Sequence, residues 1–225
     1  MLYILDTADL DAIRHCNMYY PLAGVTTNPT IIAKEKADFW TLMRQIREII
    51  GEDKMFHVQT TESIAEDIVE EAKLLRDRIG GDFYLKIPIC EEGLKATMML
   101  KKLGIKVTMT AIITPAQALI AARAGADFVA PYVNRLDNIL SDGTRVVTEI
   151  VEEFKLHDIK AKVLAASFKN AEQVHKCALA GCHSATVTAD IMKTLISHPM
   201  TDAAIAGFVN DWRNVYGDSK ISNFN

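Results

Sequence analysis

The chain has 225 residues and a formal net charge of −4, a balance that argues against nucleic acid or an anionic membrane surface as a partner. Hydrophobic residues make up 49% and charged residues 24%, with only 11 Gly and 6 Pro, so the sequence excludes a disordered or fibrous chain and reads as a folded globular protein. That length suits one large domain or two small ones and can bury a substantial core.

Met1-Leu2-Tyr3-Ile4-Leu5-Asp6 has no basic flank and only a short apolar run, so it is expected to be neither a signal peptide nor a membrane span. Leu2–Asp6 is the first expected strand, and Thr7 is expected to cap a helix over about Ala8–Tyr19. Gly24-Val25-Thr26 makes a second strand, and Asn28-Pro29 opens the next helix. Met55–Gln59 is the third strand. Ser63-Ile64-Ala65-Glu66 reads as a capping box for a helix to about Ile79, closed by Gly80-Gly81.

Phe83–Pro88 is the fourth strand. It is apolar except for Lys86, and Pro88 is expected to stop it at or just after that lysine. A lysine here either snorkels to solvent or is held where a central strand runs into a cleft. A helix over Glu91–Leu103 ends at Gly104, and the fifth strand is Lys106–Ala111. Thr114-Pro115 opens a helix that Gly125 closes. Asp127–Tyr132 is the sixth strand, followed by a helix over Gly143–His157. Lys162–Ser167 and Ser184–Thr188 are the last strands, separated by a helix over Ala171–Ala180. Helices over Asp190–Ser197 and Thr201–Val215 and a polar tail, 217–225, complete the chain.

Eight strands alternating with helices predict parallel βαβ units, and the length per unit suits a single (β/α)₈ barrel over residues 1–216. A doubly wound open sheet is the alternative, but no Gly-x-Gly-x-x-Gly follows the first strand. In a barrel the chemistry sits at the C-terminal strand ends. Those ends carry Asp6, Thr26 with Asn28, Gln59, Lys86, Thr110, Tyr132 with Asn134 and Arg135, Ser167, and Thr188. Any one of these could simply be a polar strand end meeting water.

A lysine desolvated at such a mouth has a lowered pKa and can attack a ketone to give a Schiff base. The iminium then draws electrons from a neighbouring C–C bond. That step also needs a base and hydrogen bonds to the ketose hydroxyls, for which Asp6, Asn28, Gln59, Thr110 and Tyr132 are the right types. Asp6 reads equally as a helix cap. Arg135 and Ser167 suit a phosphate.

Leu5-Asp6-Thr7, Gly24-Val25-Thr26-Thr27-Asn28-Pro29, Leu85-Lys86-Ile87-Pro88, Ala130-Pro131-Tyr132-Val133-Asn134-Arg135 and Leu164-Ala165-Ala166-Ser167-Phe168 closely resemble, in this order, the small transaldolase family. The resemblance implies a (β/α)₈ barrel with no metal and no cofactor, a Schiff-base lysine at Lys86 and an acid/base carboxylate at Asp6. It implies donor-hydroxyl contacts at Thr26 and Asn28, a water-holding threonine at Thr110, and phosphate contacts at Arg135 and Ser167. Gln59 with Tyr132, where transaldolases carry Glu and Phe, resembles the fructose-6-phosphate aldolase branch. That branch reversibly cleaves fructose 6-phosphate to dihydroxyacetone and glyceraldehyde 3-phosphate. The alternatives are a transaldolase moving dihydroxyacetone from fructose 6-phosphate or sedoheptulose 7-phosphate to an aldose phosphate in the pentose phosphate pathway, or a non-catalytic sugar-phosphate-binding barrel. Thr108-Met109-Thr110 departs from the Asn-x-Thr that transaldolases often carry. Partners implied are sugar phosphates and small ketones or aldehydes, with a homo-oligomer, pentamer or decamer, in which the last helix, bearing Phe208 and Trp212, reaches a neighbour or closes the barrel's own bottom.

Four cysteines, Cys16, Cys90, Cys177 and Cys182, form no Cys-x-x-Cys pair and read as reduced thiols of a cytoplasmic protein. Cys177, Cys182, His183 and His175 match no standard zinc spacing. His57 and Gln59 share a strand face, but no carboxylate completes a ligand set with them. Glu70-Glu71 and Glu152-Glu153 read as solvated helix faces.

Overall fold

A computed structural model describes residues 1–224. Eight strands close in sequence order into a parallel barrel: β1 (Leu2–Asp6), β2 (Leu22–Thr26), β3 (Met55–Gln59), β4 (Phe83–Pro88), β5 (Lys106–Ile112), β6 (Phe128–Pro131), β7 (Lys162–Ala165) and β8 (Ser184–Val187). The helices are α1 (Leu10–Tyr19), α2 (Pro29–Glu35), α3 (Phe39–Ile50), α4 (Ala65–Ile79), α5 (Glu91–Lys102), α6 (Pro115–Arg123), α7 (Val133–Asp137), α8 (Gly143–Leu156), α9 (Ala171–Leu179), α10 (Ala189–Thr194) and α11 (Pro199–Tyr216). The fold is a (β/α)₈ barrel, and two of its connections carry two helices each. Between β2 and β3, Lys36 adopts a left-handed backbone with φ 51° that ends α2, and Asp38 caps α3 by accepting from Thr41 N.

Three local expectations change. Asp9, not Thr7, caps α1, accepting from Asp11 N and Ala12 N. No side chain of the Ser63–Glu66 segment caps α4; Ala65 N donates instead to Glu92 Oε2 of α5 at 2.7 Å. β4 runs through Pro88, two residues past Lys86, rather than stopping at or just after that lysine. Lys86 O accepts from Thr60 N on the β3 side, and alternate residues of a strand bond to the same neighbour. The N–H that Pro88 lacks would therefore face a strand that has already ended, so the ring removes no ladder bond.

The two ends of the barrel interior differ in chemistry. Ile4, Met55, Tyr84, Phe128, Ala130 and Leu164 form an apolar plug, the layered packing that makes such barrels solid. Gly24 is required beside it, because a Cβ there would lie 2.2 Å from Met55 O. Toward the C-terminal ends the inward positions turn polar. On β5 the ladder to β6 jumps from Met109↔Val129 to Ile112↔Pro131. The extra residue leaves Ala111 at φ 59°, a bulge next to Thr110.

The described residues form two compact units, the barrel Met1–Ile191 and a second beginning at Met192. Within the second, Trp212, Tyr216 and Phe224 pack ring on ring, and Trp212 Nε1 donates to Ser219 O at 2.7 Å. The expected polar tail thus folds back on its own helix. Its last residue, Asn225, lies outside the described residues. Among the described residues no helix is long and apolar enough to cross a membrane.

Candidate active site

Register fixes which side chains meet inside the barrel. Asp6 pairs with Thr26, Thr26 with His57, Gln59 with Lys86, and Lys86 with Thr108. Residues paired across a ladder point to the same face. Gln59 lines the central cavity, so Lys86 also projects inward. It is 4% exposed, and its Nζ donates to Thr27 O at 3.3 Å. Burial pushes the Lys86 amine below its ordinary pKa, while the Asp6 carboxylate pulls it the other way. The net lowering is what a nucleophilic lysine needs.

Asp6 Oδ1 accepts from Thr26 Oγ1 at 2.7 Å, and Thr26 Oγ1 lies 2.6 Å from Thr186 Oγ1. A hydroxyl has one hydrogen, so with Thr26 donating to Asp6, Thr186 donates to Thr26. On the opposite wall Thr110 Oγ1 donates to Tyr132 Oη at 3.3 Å, and the Arg135 guanidinium sits 4.5 Å over the Tyr132 ring. Below this level His57 is fully buried. Its Nδ1 is 2.8 Å from Thr108 Oγ1, its ring stacks on Tyr84 at 4.5 Å, and its Nε2 has no hydrogen-bond partner. Burial first, and then the Lys86 charge, lower the His57 pKa to about 3. The imidazole is therefore neutral.

A cavity of about 910 Å³ opens at the C-terminal strand ends, lined by Asp6, Asn28, Gln59, Tyr132, Arg135 and Ser167 among others. Lys86, Thr26 and Thr110, also candidates from sequence, are buried and are not among its lining residues. Asn28 spends its Oδ1 capping α2, accepting from Ile31 N at 3.0 Å. Ser167 adopts φ 62°, a left-handed backbone that costs an ordinary residue about 1 kcal/mol or more and is concentrated at functional sites.

Sequence reading missed Lys169, Lys34 and Thr186, which also line the cavity. Lys169 lies two residues beyond Ser167, and Thr186 shares its strand face with Thr188, so alternation from Thr188 could have named Thr186. Glu71 was also misread as a solvated residue. It accepts from the hydroxyl of Thr60, from Thr61 N at 3.1 Å and from Thr61 Oγ1 at 2.8 Å, pinning the loop that follows Gln59. Cys182 Sγ donates to Ser184 O at 3.1 Å, and His183 Nδ1 accepts from Val163 N. Among the described residues no three His, Cys, Asp or Glu side chains gather into a possible metal site.

A desolvated amine, a carboxylate held by a hydroxyl chain, a Thr–Tyr pair and two cations, Arg135 and Lys169, on one side of the mouth are groups suited to carbonyl chemistry. Residues 3–220 match the model of the family described as Transaldolase/Fructose-6-phosphate aldolase. The chain belongs to that family. Membership in the transaldolase/fructose-6-phosphate aldolase family makes it a class I aldolase/transaldolase-type enzyme. A solved structure titled "Native KDPGal structure" is similar over 84% of this chain and 82% of that one, with 16% identity and a TM-score of 0.58. That likeness concerns the barrel fold.

Proposed function

We propose that the chain is the aldolase rather than the transferase of its family, cleaving fructose 6-phosphate reversibly to dihydroxyacetone and glyceraldehyde 3-phosphate. The observation that carries the reading is the surroundings of Lys86. A neutral amide, Gln59, is its partner across the β3–β4 ladder, and a phenol, Tyr132, held by Thr110, lies on the far wall.

In this reading the neutral Lys86 amine attacks the C2 carbonyl of the open-chain ketose, and loss of water leaves an iminium. A base, Asp6, takes the proton of the C4 hydroxyl. The C3–C4 bond breaks, its electron pair moves into the iminium to form an enamine, and glyceraldehyde 3-phosphate leaves. Protonation of the enamine at C3 regenerates the iminium. Water placed by Gln59, Thr110 and Tyr132 then hydrolyses it, freeing dihydroxyacetone and the amine. Thr26 is assigned to holding Asp6, Asn28 to the donor-hydroxyl side, and Arg135 with Ser167 and Lys169 to the phosphate. A carboxylate in place of the Gln59 amide would hold and activate the hydrolytic water differently.

The test is an assay of fructose 6-phosphate with and without erythrose 4-phosphate. Glyceraldehyde 3-phosphate is expected without any acceptor; its appearance only with the acceptor identifies a transaldolase. Borohydride with dihydroxyacetone should add a reduced three-carbon adduct to Lys86, and no adduct there removes both readings. Self-assembly belongs to the same proposal, supported by apolar Ile205, Phe208 and Val209 along α11. A monomeric mass in solution overturns it.

A further inference from the structure

One cationic side of the cavity is assembled from two separate pieces of chain. Arg135 lies on α7, and Ser167 and Lys169 lie on the loop between β7 and α9. Their backbones touch directly, with Val133 N donating to Ala166 O and Asn134 N to Ser167 O, both at 2.9 Å. One further side chain spans the two pieces. Gln173, in the first turn of α9, is 7% exposed and is not a cavity-lining residue. Its Oε1 accepts from Lys169 N at 2.8 Å, and its Nε2 donates to Asp137 Oδ2 at 2.5 Å and to Asn134 Oδ1 at 3.3 Å. Asp137 and Asn134 flank Arg135 on α7. The remaining Asp137 oxygen accepts from Gly143 N at 2.9 Å, tying the same network to α8.

We propose that Gln173 is a positioning residue for the anionic end of the substrate. It fixes the spacing between Arg135 on one segment and Ser167 with Lys169 on the other, and so sets how strongly the enzyme prefers a phosphorylated aldehyde. The inference rests on the proposal that this rim takes the phosphate. An amide is the only side chain of this length that supplies an acceptor for Lys169 N and donors for two oxygens at once. The contact to Asp137 is charge-assisted, which makes it the strongest of the three. Because Gln173 is buried, loosening it moves the rim rather than being absorbed by water.

The experiment measures aldol addition of dihydroxyacetone to glyceraldehyde 3-phosphate and to unphosphorylated glyceraldehyde. Gln173→Glu keeps an acceptor for Lys169 N but sets a carboxylate against Asp137. It is expected to raise KM for the phosphorylated aldehyde by about tenfold, the loss of one charge-assisted hydrogen bond, with a smaller change on glyceraldehyde. Gln173→Glu combined with Asp137→Asn reverses donor and acceptor and should restore the preference. Gln173→Met, of similar length and without hydrogen bonds, should behave as Gln173→Glu does; it serves if the added carboxylate prevents folding. Equal losses on both aldehydes, or no rescue by the paired change, overturn the proposal. Arg135→Ala separates the two levels. If it lowers the preference while the Gln173 variants do not, only the Gln173 inference fails; if it leaves the preference intact, the phosphate assignment and this inference fall together.

Discussion

Thr26 donates its single hydroxyl hydrogen to Asp6 Oδ1 at 2.7 Å and sits 2.6 Å from the hydroxyl of Thr186, so the carboxylate ends a directed chain, Thr186 to Thr26 to Asp6, running through the barrel wall from β8 to β1 by way of β2. The two hydroxyls are buried, so the chain holds the Asp6 carboxylate in one orientation. Thr26→Val preserves the shape and removes the donor. We expect kcat to fall by about tenfold to a hundredfold, the range for a lost hydrogen bond to a charged group, with little change in KM. Thr26→Ser should recover most of it. A fall in KM-controlled binding with kcat intact would return Thr26 to a substrate-contact role.

Lys86 carries a buried amine that donates to Thr27 O at 3.3 Å. Lys86→Met removes the nucleophile and the cost of burying a cation together. Turnover is expected to drop to about 10⁻⁴ of wild type or less, while the melting temperature stays equal or rises. Asp6→Asn bears on the same amine from outside. Burial lowers the Lys86 pKa and the Asp6 charge raises it, so removing that charge must lower it further. Adduct formation with dihydroxyacetone and borohydride should then persist to lower pH than in wild type, even as turnover falls. An adduct profile that moves to higher pH would contradict the electrostatics.

His57 gives a stability prediction with a definite sign. Its folded pKa is near 3 against an ordinary value of 6.5. Above pH 6.5 the ring is neutral in both states. Between about 6.5 and 3 the unfolded chain binds a proton that the folded chain refuses, so stability falls with acidity by up to ~1.4 kcal/mol per pH unit. His57→Phe keeps the stack on Tyr84 and abolishes this slope, at the cost of an unpaired Thr108 hydroxyl. Urea unfolding at pH 7 and pH 5 should show wild type losing about 2 kcal/mol more than the variant over that interval. Parallel losses would mean the ring is protonated in the folded state.

Strand alternation and capping residues made the barrel legible in the sequence, because apolar runs bounded by Asn-Pro, Thr-Pro and Gly have few other structural solutions. The strand-end residues Asp6, Gln59, Tyr132 and Arg135 were legible for the same reason. What stayed hidden depended on contacts between distant segments. Nothing local to Ser63–Glu66 says that Glu92 will take the Ala65 N–H, and nothing near Gln173 says that its amide joins the loop after β7 to α7. His57 was visible as an inward residue, but its pairing with Thr108 across β4 is a property of the closed barrel. Lys169 was missed because the expected seventh strand ran to Ser167, whereas β7 ends at Ala165 and the following residues turn into the rim.

The balance between cleavage and transfer should lie with Gln59 and Tyr132. Gln59→Glu sets a carboxylate beside Lys86 across the β3–β4 ladder. A carboxylate holds and activates the hydrolytic water differently from an amide, so capture of the enamine by an acceptor aldehyde gains on its hydrolytic release. The ratio of transfer onto erythrose 4-phosphate to release of free dihydroxyacetone should rise by about tenfold, a fraction of what a single general acid–base group supplies. Tyr132→Phe keeps the ring under Arg135 and removes the phenol that Thr110 holds. Release of dihydroxyacetone should slow while KM for fructose 6-phosphate changes little, because the phosphate rim is undisturbed. Both variants are read in one assay, fructose 6-phosphate with and without the acceptor. If neither shifts the ratio, the amide and the phenol are not what separates the two activities, and the aldolase assignment loses its structural support.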